Sequence, residues 1–257
     1  MKIVLIGTGN VAMHLGPALV KAGHKLVQVV GRTEKHSKFL ANKLDCDFTI
    51  EKEKIYAKAD AYIIALRDEA IGHYVKHIPS EAKLVVHTSG SVSSKILATS
   101  TKHFGVLYPL QTFSIGRKIN FKDIPLCLEA NTESARKRLQ TLAKSISINI
   151  HWINQDQRQT IHLAAVFANN FSNHLFSLAE DLLNKKGISF ELLRPLIAET
   201  SAKVQNSSAH QMQTGPAKRG DAETINKHLA LLKNKPELRH IYEILTGSIQ
   251  KHDGPLL

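Results

Sequence analysis

Near the N-terminus, Gly7-Thr8-Gly9-Asn10-Val11-Ala12 places two glycines one residue apart, with a small residue three positions after the second. Such a segment can bring bare backbone N–H groups against phosphate oxygens. Gly7 permits a tight turn, Gly9 removes the side chain where a pyrophosphate must approach, and Ala12 lets the following helix pack closely on the preceding strand. The N-terminus of that helix adds unpaired N–H donors and partial positive charge, so Thr8, Asn10 and Val11 complete a phosphate-binding turn. An adenosine ribose 2′-hydroxyl is ordinarily met by a carboxylate about twenty residues further on. Here that place is held by Gly31-Arg32-Thr33. No acid there repels a 2′-phosphate, Arg32 can pair with one through two N–H donors, and Thr33 can donate its hydroxyl. The chemistry read from these residues is binding of NADP(H) in preference to NAD(H).

Other polar residues fall where a bound dinucleotide and its reaction partner would lie. Leu66, and then Thr88 and Ser89 in His87-Thr88-Ser89-Gly90-Ser91, follow apolar runs. In an open α/β sheet the residues after the strands face the ligand, so Leu66 and Thr88 are expected to contact the cofactor and Ser89 the reacting end. His162, Asn169 and Asn173 are separated by seven and four residues. At 100° per residue an unbroken helix would bring Asn169 and Asn173 within roughly 20° of His162, one on either side. An imidazole and two amides on an otherwise apolar helix are costly to bury unpaired, so they are expected to line a cleft. His162 is the candidate proton donor, since imidazole titrates near neutrality; Asn169 and Asn173 are candidate catalytic partners, with Asn170 beside them for substrate. Arg219 is a candidate for binding a carboxylate or phosphate, and Asp221 is expected to cap the helix that follows it.

The elements that must position these residues are legible from the apolar pattern. Seven β-like runs are expected: Ile3 to Ile6, Lys25 to Val30, Ala61 to Leu66, Leu84 to His87, Gly105 to Tyr108, Leu126 to Ala130 and Ile148 to Trp152. Helical stretches at Val11 to Lys21, Glu34 to Lys43 and Glu133 to Ser147 lie between some of them. This alternation predicts an α/β fold, a Rossmann parallel sheet over residues 1–152. From 153 to 257 no β-like run recurs, and an all-helical domain is expected. Its first helix is expected to run from Asp156 to Lys185 and to end at Gly187, with others at Phe190 to Ser207, Ala222 to Lys233 and Pro236 to Gln250.

Composition narrows the classes of function. Lys and Arg number 34 against 22 Asp and Glu, a net charge of +12, which suits anionic ligands. The positive residues are scattered, without the aromatic interleaving of a stacking platform, so nucleic acid is not the expected partner. No apolar run approaches the length of a membrane span, and the first four apolar residues are too few for a signal peptide; a soluble, cytoplasmic chain that does not engage membranes is expected. Cys46 and Cys127 lack metal-ligand spacing, the His73, His77 pair reads as solvated surface, and no metal is expected.

Taken with the helical second half, the fingerprint resembles the superfamily of pyrroline-5-carboxylate reductases, 6-phosphogluconate dehydrogenase and related β-hydroxyacid dehydrogenases. The deazaflavin-dependent NADP reductases are similar over the fingerprint half. A bacterial group of Rossmann-like proteins, whose C-terminal helical domain has no assigned function, is similar over nearly the whole chain. Its matching motifs are His87-Thr88-Ser89-Gly90-Ser91, Tyr108-Pro109-Leu110-Gln111-Thr112, Asn169-Asn170-Phe171 with Asn173-His174, and Gly215-Pro216 followed by Arg219-Gly220-Asp221. The resemblance implies an NADP(H)-dependent oxidoreductase acting on a small anionic carbonyl or imine compound in an interdomain cleft, and a homodimer, with 153–257 as the helical substrate and dimerisation domain. It also exposes a departure. Where the β-hydroxyacid dehydrogenases carry a catalytic Lys one turn before their Asn, this chain has Ala165. The alternative to catalysis is a non-catalytic NADP(H)-binding sensor or interaction module.

Overall fold

The computed structural model describes residues 1–251, so the last six residues of the expected 153–257 domain lie outside the described residues. The chain divides into two compact units, Met1–Asn170 and Phe171–Leu257.

The first unit is built on an eight-stranded sheet. Its elements are β1 (Lys2–Ile6), α1 (Asn10–Lys21), β2 (Lys25–Val30), α2 (Glu34–Leu44), β3 (Asp47–Thr49), β4 (Ala61–Ile64), α3 (Asp68–Val75), β5 (Val85–His87), β6 (Phe104–Pro109), β7 (Leu126–Ala130), α4 (Glu133–Ile146), β8 (Ile150–Trp152) and α5 (Gln155–Ala165). The strand order is β3-β2-β1-β4-β5-β6-β7-β8. Strand order reverses direction at β1, between β2 and β4, and in such sheets the ligand crevice lies outside the carboxyl ends of the strands at this point. Strands β1 to β6 pair in parallel, as the expected Rossmann sheet requires.

Burial on both faces explains the continuous apolar runs. In β1, Ile3 and Leu5 point into one core with Leu15 and Leu19 of α1 and Leu40 of α2. Val4 and Ile6 point into the other with Ile64, Ile71 and Val75. A strand buried on both sides cannot alternate apolar with polar residues. Polar Asp47 and Thr49 flank the single apolar residue of β3, Phe48, and its three residues suffice only for the sheet edge. That strand escapes a search for apolar runs. Strand β7 runs antiparallel to β6 while β8 is parallel to β7. The connection from Pro109 to Leu126 contains only a short 3-10 turn at Phe121–Asp123, so no helix carries the chain back across the sheet and β7 starts at the end where β6 stops.

The second unit continues the helix of α5. A π-helical segment, Val166–Phe171, follows directly and leads into α6 (Ser172–Asn184). Gly187, at φ 67°, terminates it, as expected of a residue free to turn left-handed. Then come α7 (Arg194–Asn206), α8 (Pro216–Arg219), α9 (Ala222–Leu231) and α10 (Pro236–Lys251). Asp221 caps α9 as expected: its Oδ1 accepts from the Thr224 amide at 3.1 Å and its Oδ2 from the Thr224 hydroxyl at 2.9 Å. No described helix is long and apolar enough to cross a membrane.

Candidate functional site

The fingerprint residues occupy the turn from β1 into α1. Gly7 stands at φ 122°, and its amide donates to the Val30 carbonyl of β2 at 2.7 Å. A Cβ here would lie 2.1 Å from the Ala65 carbonyl oxygen and 3.3 Å from Leu66. Only glycine lets β1, β2 and β4 close up at the turn. Gly9 is the N-cap of α1, and a Cβ built on it would meet nothing within 4 Å. Open space thus lies in front of the helix N-terminus, whose first turn carries no acidic residue. These features fit a pyrophosphate. Thr8 and Val11 are half-buried, and Ala12 is fully buried against the sheet. Asn10 donates its side-chain amide to the Phe113 carbonyl at 2.8 Å, so it ties the loop after β6 to the fingerprint helix.

Gly31, Arg32 and Thr33 follow β2 directly. A Cβ on Gly31 would meet Ser37 Oγ at 2.3 Å and Thr8 Cγ2 at 2.9 Å, so this turn and the fingerprint turn are neighbours. Arg32 is exposed and makes no ion pair among the described residues, while the Thr33 hydroxyl bonds His36 Nδ1 at 3.0 Å. An unengaged guanidinium beside a hydroxyl suits an incoming 2′-phosphate. Leu66, just past β4, is half-buried beside Gly7.

A second group of residues gathers at the carboxyl ends of β5 and β6, two and three places from β1 in the sheet. With strands spaced about 4.8 Å apart, that is roughly 10–15 Å from the fingerprint, within the reach of an extended dinucleotide. Helix α5 supplies two of its members. Asn154 accepts from the Gln157 amide at 2.8 Å and Gln157 Oε1 accepts from the Asn154 amide at 2.9 Å, a reciprocal cap that fixes where α5 begins. Arg158 and His162, one turn apart, then share a face. Arg158 is fully buried. It donates through Nη1 to the carbonyls of Ser89 at 3.2 Å and Gly90 at 3.0 Å, and through Nη2 to Glu129 of β7 at 3.2 Å. Ser94 donates to the other oxygen of Glu129. Arg158 Nε has no hydrogen-bond partner among the described residues.

Held in this way, the turn after β5 supports His162. A Cβ on Gly90 would come within 2.6 Å of His162 Nδ1 and 2.9 Å of Tyr108 Cζ. The Tyr108 hydroxyl lies 3.1 Å from His162 Nδ1. Burial pushes the Tyr108 phenol up, aided by Cys127 and opposed by Arg158. Thr88 and Ser89 are buried in the turn. The Ser89 hydroxyl accepts from the amides of Ser91 at 3.1 Å and Val92 at 3.0 Å. Its lone pairs thus shape the turn, and the Thr88 amide donates to the Ile64 carbonyl at 3.1 Å.

Under this turn lies His87, fully buried. Its Nδ1 accepts from the Ser89 amide at 3.2 Å, and its Nε2 has no partner at bonding distance among the described residues. Burial lowers its pKa to about 4, the Arg158 guanidinium adding to the effect against weaker opposing contributions from the Ser93 backbone and Asp68. The unfolded chain takes up this proton near pH 6.5 and the folded one only near 4. Stability from this group is therefore full above pH 6.5 and lost as the pH falls toward 4, by roughly 3 kcal/mol at about 1.4 kcal/mol per pH unit. Urea unfolding at pH 7.5 and pH 4.5 should show the stability gap between wild type and His87→Asn, which keeps an acceptor near Nδ1, shrinking in acid. Parallel pH dependences in the two proteins would contradict this.

Asn169 and Asn170 lie in the π-helical segment and are exposed. The constant step of 100° does not hold across Val166–Phe171, because a π turn takes up about one extra residue. The reason for placing Asn169 and Asn173 on the His162 face therefore fails. Ala165 is the last residue before this segment. Asn173 is the second residue of α6, in the second unit, and is exposed; Arg219, also exposed, lies 3.8 Å from Asp221. The structure brings together Gly7, Thr8, Gly31 and Leu66 at one place and Ser89 and His162 at another. Tyr108, Arg158, Glu129 and His87 are the members sequence reasoning does not single out as site residues. One signal was available: Glu129 is an acid in the otherwise apolar run Leu126–Ala130, and a carboxylate so placed needs a cation.

Residues 2–90 match the family described as NADP oxidoreductase, coenzyme F420-dependent. Residues 124–249 match a domain of unknown function, DUF2520. No curated protein matches. A Bacteroides fragilis protein assigned as an NADP oxidoreductase is 38% identical, with a TM-score of 0.91 over 97% of this chain and 98% of that one. Two more distant structures share the fold. They are 1-pyrroline-5-carboxylate reductase from Streptococcus pyogenes (16% identity, TM-score 0.64, 98% of each chain) and a reductive aminase from Aspergillus terreus in complex with NADPH and ethyl levulinate (13% identity, TM-score 0.75, 97% of this chain and 92% of that one). With a relative of this identity over nearly the whole of both chains, and with the two domain matches in this order, the chain belongs to the NADP oxidoreductase family in which a Rossmann domain is joined to a DUF2520 domain.

Proposed function

We propose that this NADP oxidoreductase reduces a small anionic carbonyl or imine compound, and that His162 presents the hydrogen bond the reaction needs. NADPH, when bound, supplies the hydride. The observation that carries the reading is His162 held by Tyr108 over Gly90, at the carboxyl ends of β5 and β6, the same edge of the sheet as the cofactor turn. Gly7, Gly9 and the first amides of α1 would hold the pyrophosphate, Arg32 and Thr33 the 2′-phosphate. Leu66 and Thr88 would line the path toward the nicotinamide. The Ser89 hydroxyl accepts two backbone amides, so its part is to hold the turn in shape. Asn169, Asn170, Asn173 and Arg219 are proposed to bind the substrate's polar groups; the basic chain suits an anion. With Ala165 where a Lys would stand, His162 is proposed to donate a hydrogen bond to the reacting oxygen, and water supplies the proton that completes the reduction.

The test is NADPH oxidation against a panel of keto acids, cyclic imines and aldehydes. Turnover of at least one compound is expected. Tight NADPH binding with no turnover across the panel would overturn the reductase reading in favour of a sensor.

A homodimer is proposed on separate grounds. In the second unit only Ala217 and Leu232 are buried among the described residues, while Leu192, Leu196 and Leu231 are 72%, 62% and 80% exposed. A helical unit with so little core of its own needs another apolar surface, and a second copy supplies one. Sedimentation at micromolar concentration should give twice the chain mass of 28.5 kDa. A monomer that stays folded at those concentrations would refute it.

A further inference from the structure

We propose that Tyr108 is a positioning residue for His162: its phenol donates to Nδ1 and so holds the imidazole in the tautomer that carries its hydrogen on Nε2. The consequence for turnover rests on the reductase reading above; the tautomer does not.

Tyr108 is 9% exposed, packed with Val106 and Cys127 and against Leu110, Ile153 and Ile161. A buried O–H must donate somewhere, because leaving it unpaired forfeits the full desolvation cost of the group. His162 Nδ1, at 3.1 Å, is the hydrogen-bond partner of this hydroxyl. A ring nitrogen accepts only when it carries no hydrogen, so the neutral ring bears its hydrogen on Nε2. Packing holds the two rings in this relation. They meet edge to face, with centroids 5.9 Å apart and planes at 76°. Both rest on Gly90, whose carbonyl is fixed by the buried Arg158. Ile161, next to His162, packs into the cluster that contains Tyr108, so α5 is anchored at the same place.

A hydrogen on Nε2 makes that nitrogen a donor. It fits a substrate that offers an oxygen acceptor there, the carbonyl oxygen of a keto acid or the carboxylate of a cyclic imino acid. It does not fit a bare iminium N–H, which is itself a donor. The substrate class follows: a compound with an acceptor oxygen beside the carbon that takes the hydride.

The experiment is nitrogen-15 NMR of the full chain labelled at histidine, at a pH where imidazoles are neutral, with His162→Ala assigning the His162 signals. Wild type should show the hydrogen on Nε2, and Tyr108→Phe, which removes only the hydroxyl, should shift His162 to a mixture of tautomers. A hydrogen on Nδ1 in wild type, or an unchanged tautomer in Tyr108→Phe, would overturn the proposal, and the wild-type spectrum alone suffices if the variant does not fold. With a substrate from the panel, Tyr108→Phe should lower kcat about tenfold, equivalent to one ordinary hydrogen bond, and leave the KM for NADPH unchanged. In a His162→Ala background the same change should have no further effect, whereas an equal loss in both backgrounds would contradict action through His162. If no compound turns over, the reductase reading fails while the spectra still decide the tautomer.

Discussion

Arg158→Ala is expected to destabilise the first unit by about 3–5 kcal/mol, the cost of leaving one member of a buried ion pair without its partner. Arg158 is fully buried and Glu129 is 19% exposed at the side chain, so water only partly compensates the carboxylate. The same substitution strips two carbonyl acceptors, those of Ser89 and Gly90, of their donor and opens a cavity the size of the guanidinium and its stem. Arg158→Met together with Glu129→Gln should cost less than Arg158→Ala alone, because it fills the volume and leaves no buried charge unpaired. Urea denaturation midpoints, with the slope checked for constancy, measure both. A loss below about 1 kcal/mol for Arg158→Ala would place the pair among weak surface bridges and contradict its assigned part.

His162→Ala is expected to lower kcat by roughly 10²–10³-fold, the range lost when one hydrogen-bond donor to a developing oxyanion is removed. NADPH affinity should stay within a factor of about two, since the groups assigned to the cofactor lie on other turns; the barrier rises, and cofactor binding does not weaken. Steady-state rates with the best panel substrate, paired with direct NADPH titration, separate the two quantities. A rate unchanged by the substitution would remove His162 from the reaction. A parallel loss of NADPH binding would mean that the ring supports the cofactor instead.

The sheet was legible because its strands are buried on both faces and so spell continuous Val, Ile and Leu runs. The cofactor turn was legible because glycine spacing reports backbone shape directly: the φ of Gly7 and the 2.1 Å approach of Ala65 are the structural form of one sequence signal. The short edge strand Asp47–Thr49 carried no such signal, having a single apolar residue. The reacting group was only half legible. His162 stood out by its chemistry, but Arg158, four residues before it, read as one basic residue among 34. Its burial depends on Glu129, 29 residues away in sequence, and pairing across elements leaves no local pattern. The face shared by His162, Asn169 and Asn173 assumed a uniform helix, and Val166–Phe171 breaks that uniformity. No periodicity argument sees a π segment, because the extra residue is accommodated by the backbone and leaves no apolar pattern of its own.

The turn after β2 is proposed to read the 2′-phosphate of the cofactor. Calorimetric titration of wild type and Arg32→Ala with NADPH and with NADH tests it directly. Wild type should bind NADPH at least about tenfold more tightly than NADH. Arg32→Ala should weaken NADPH by roughly 10- to 100-fold, as loss of hydrogen bonds to a charged group entails, while NADH binding stays as it was. Equal affinities for the two cofactors in wild type, or an NADPH affinity indifferent to Arg32, would contradict the claim.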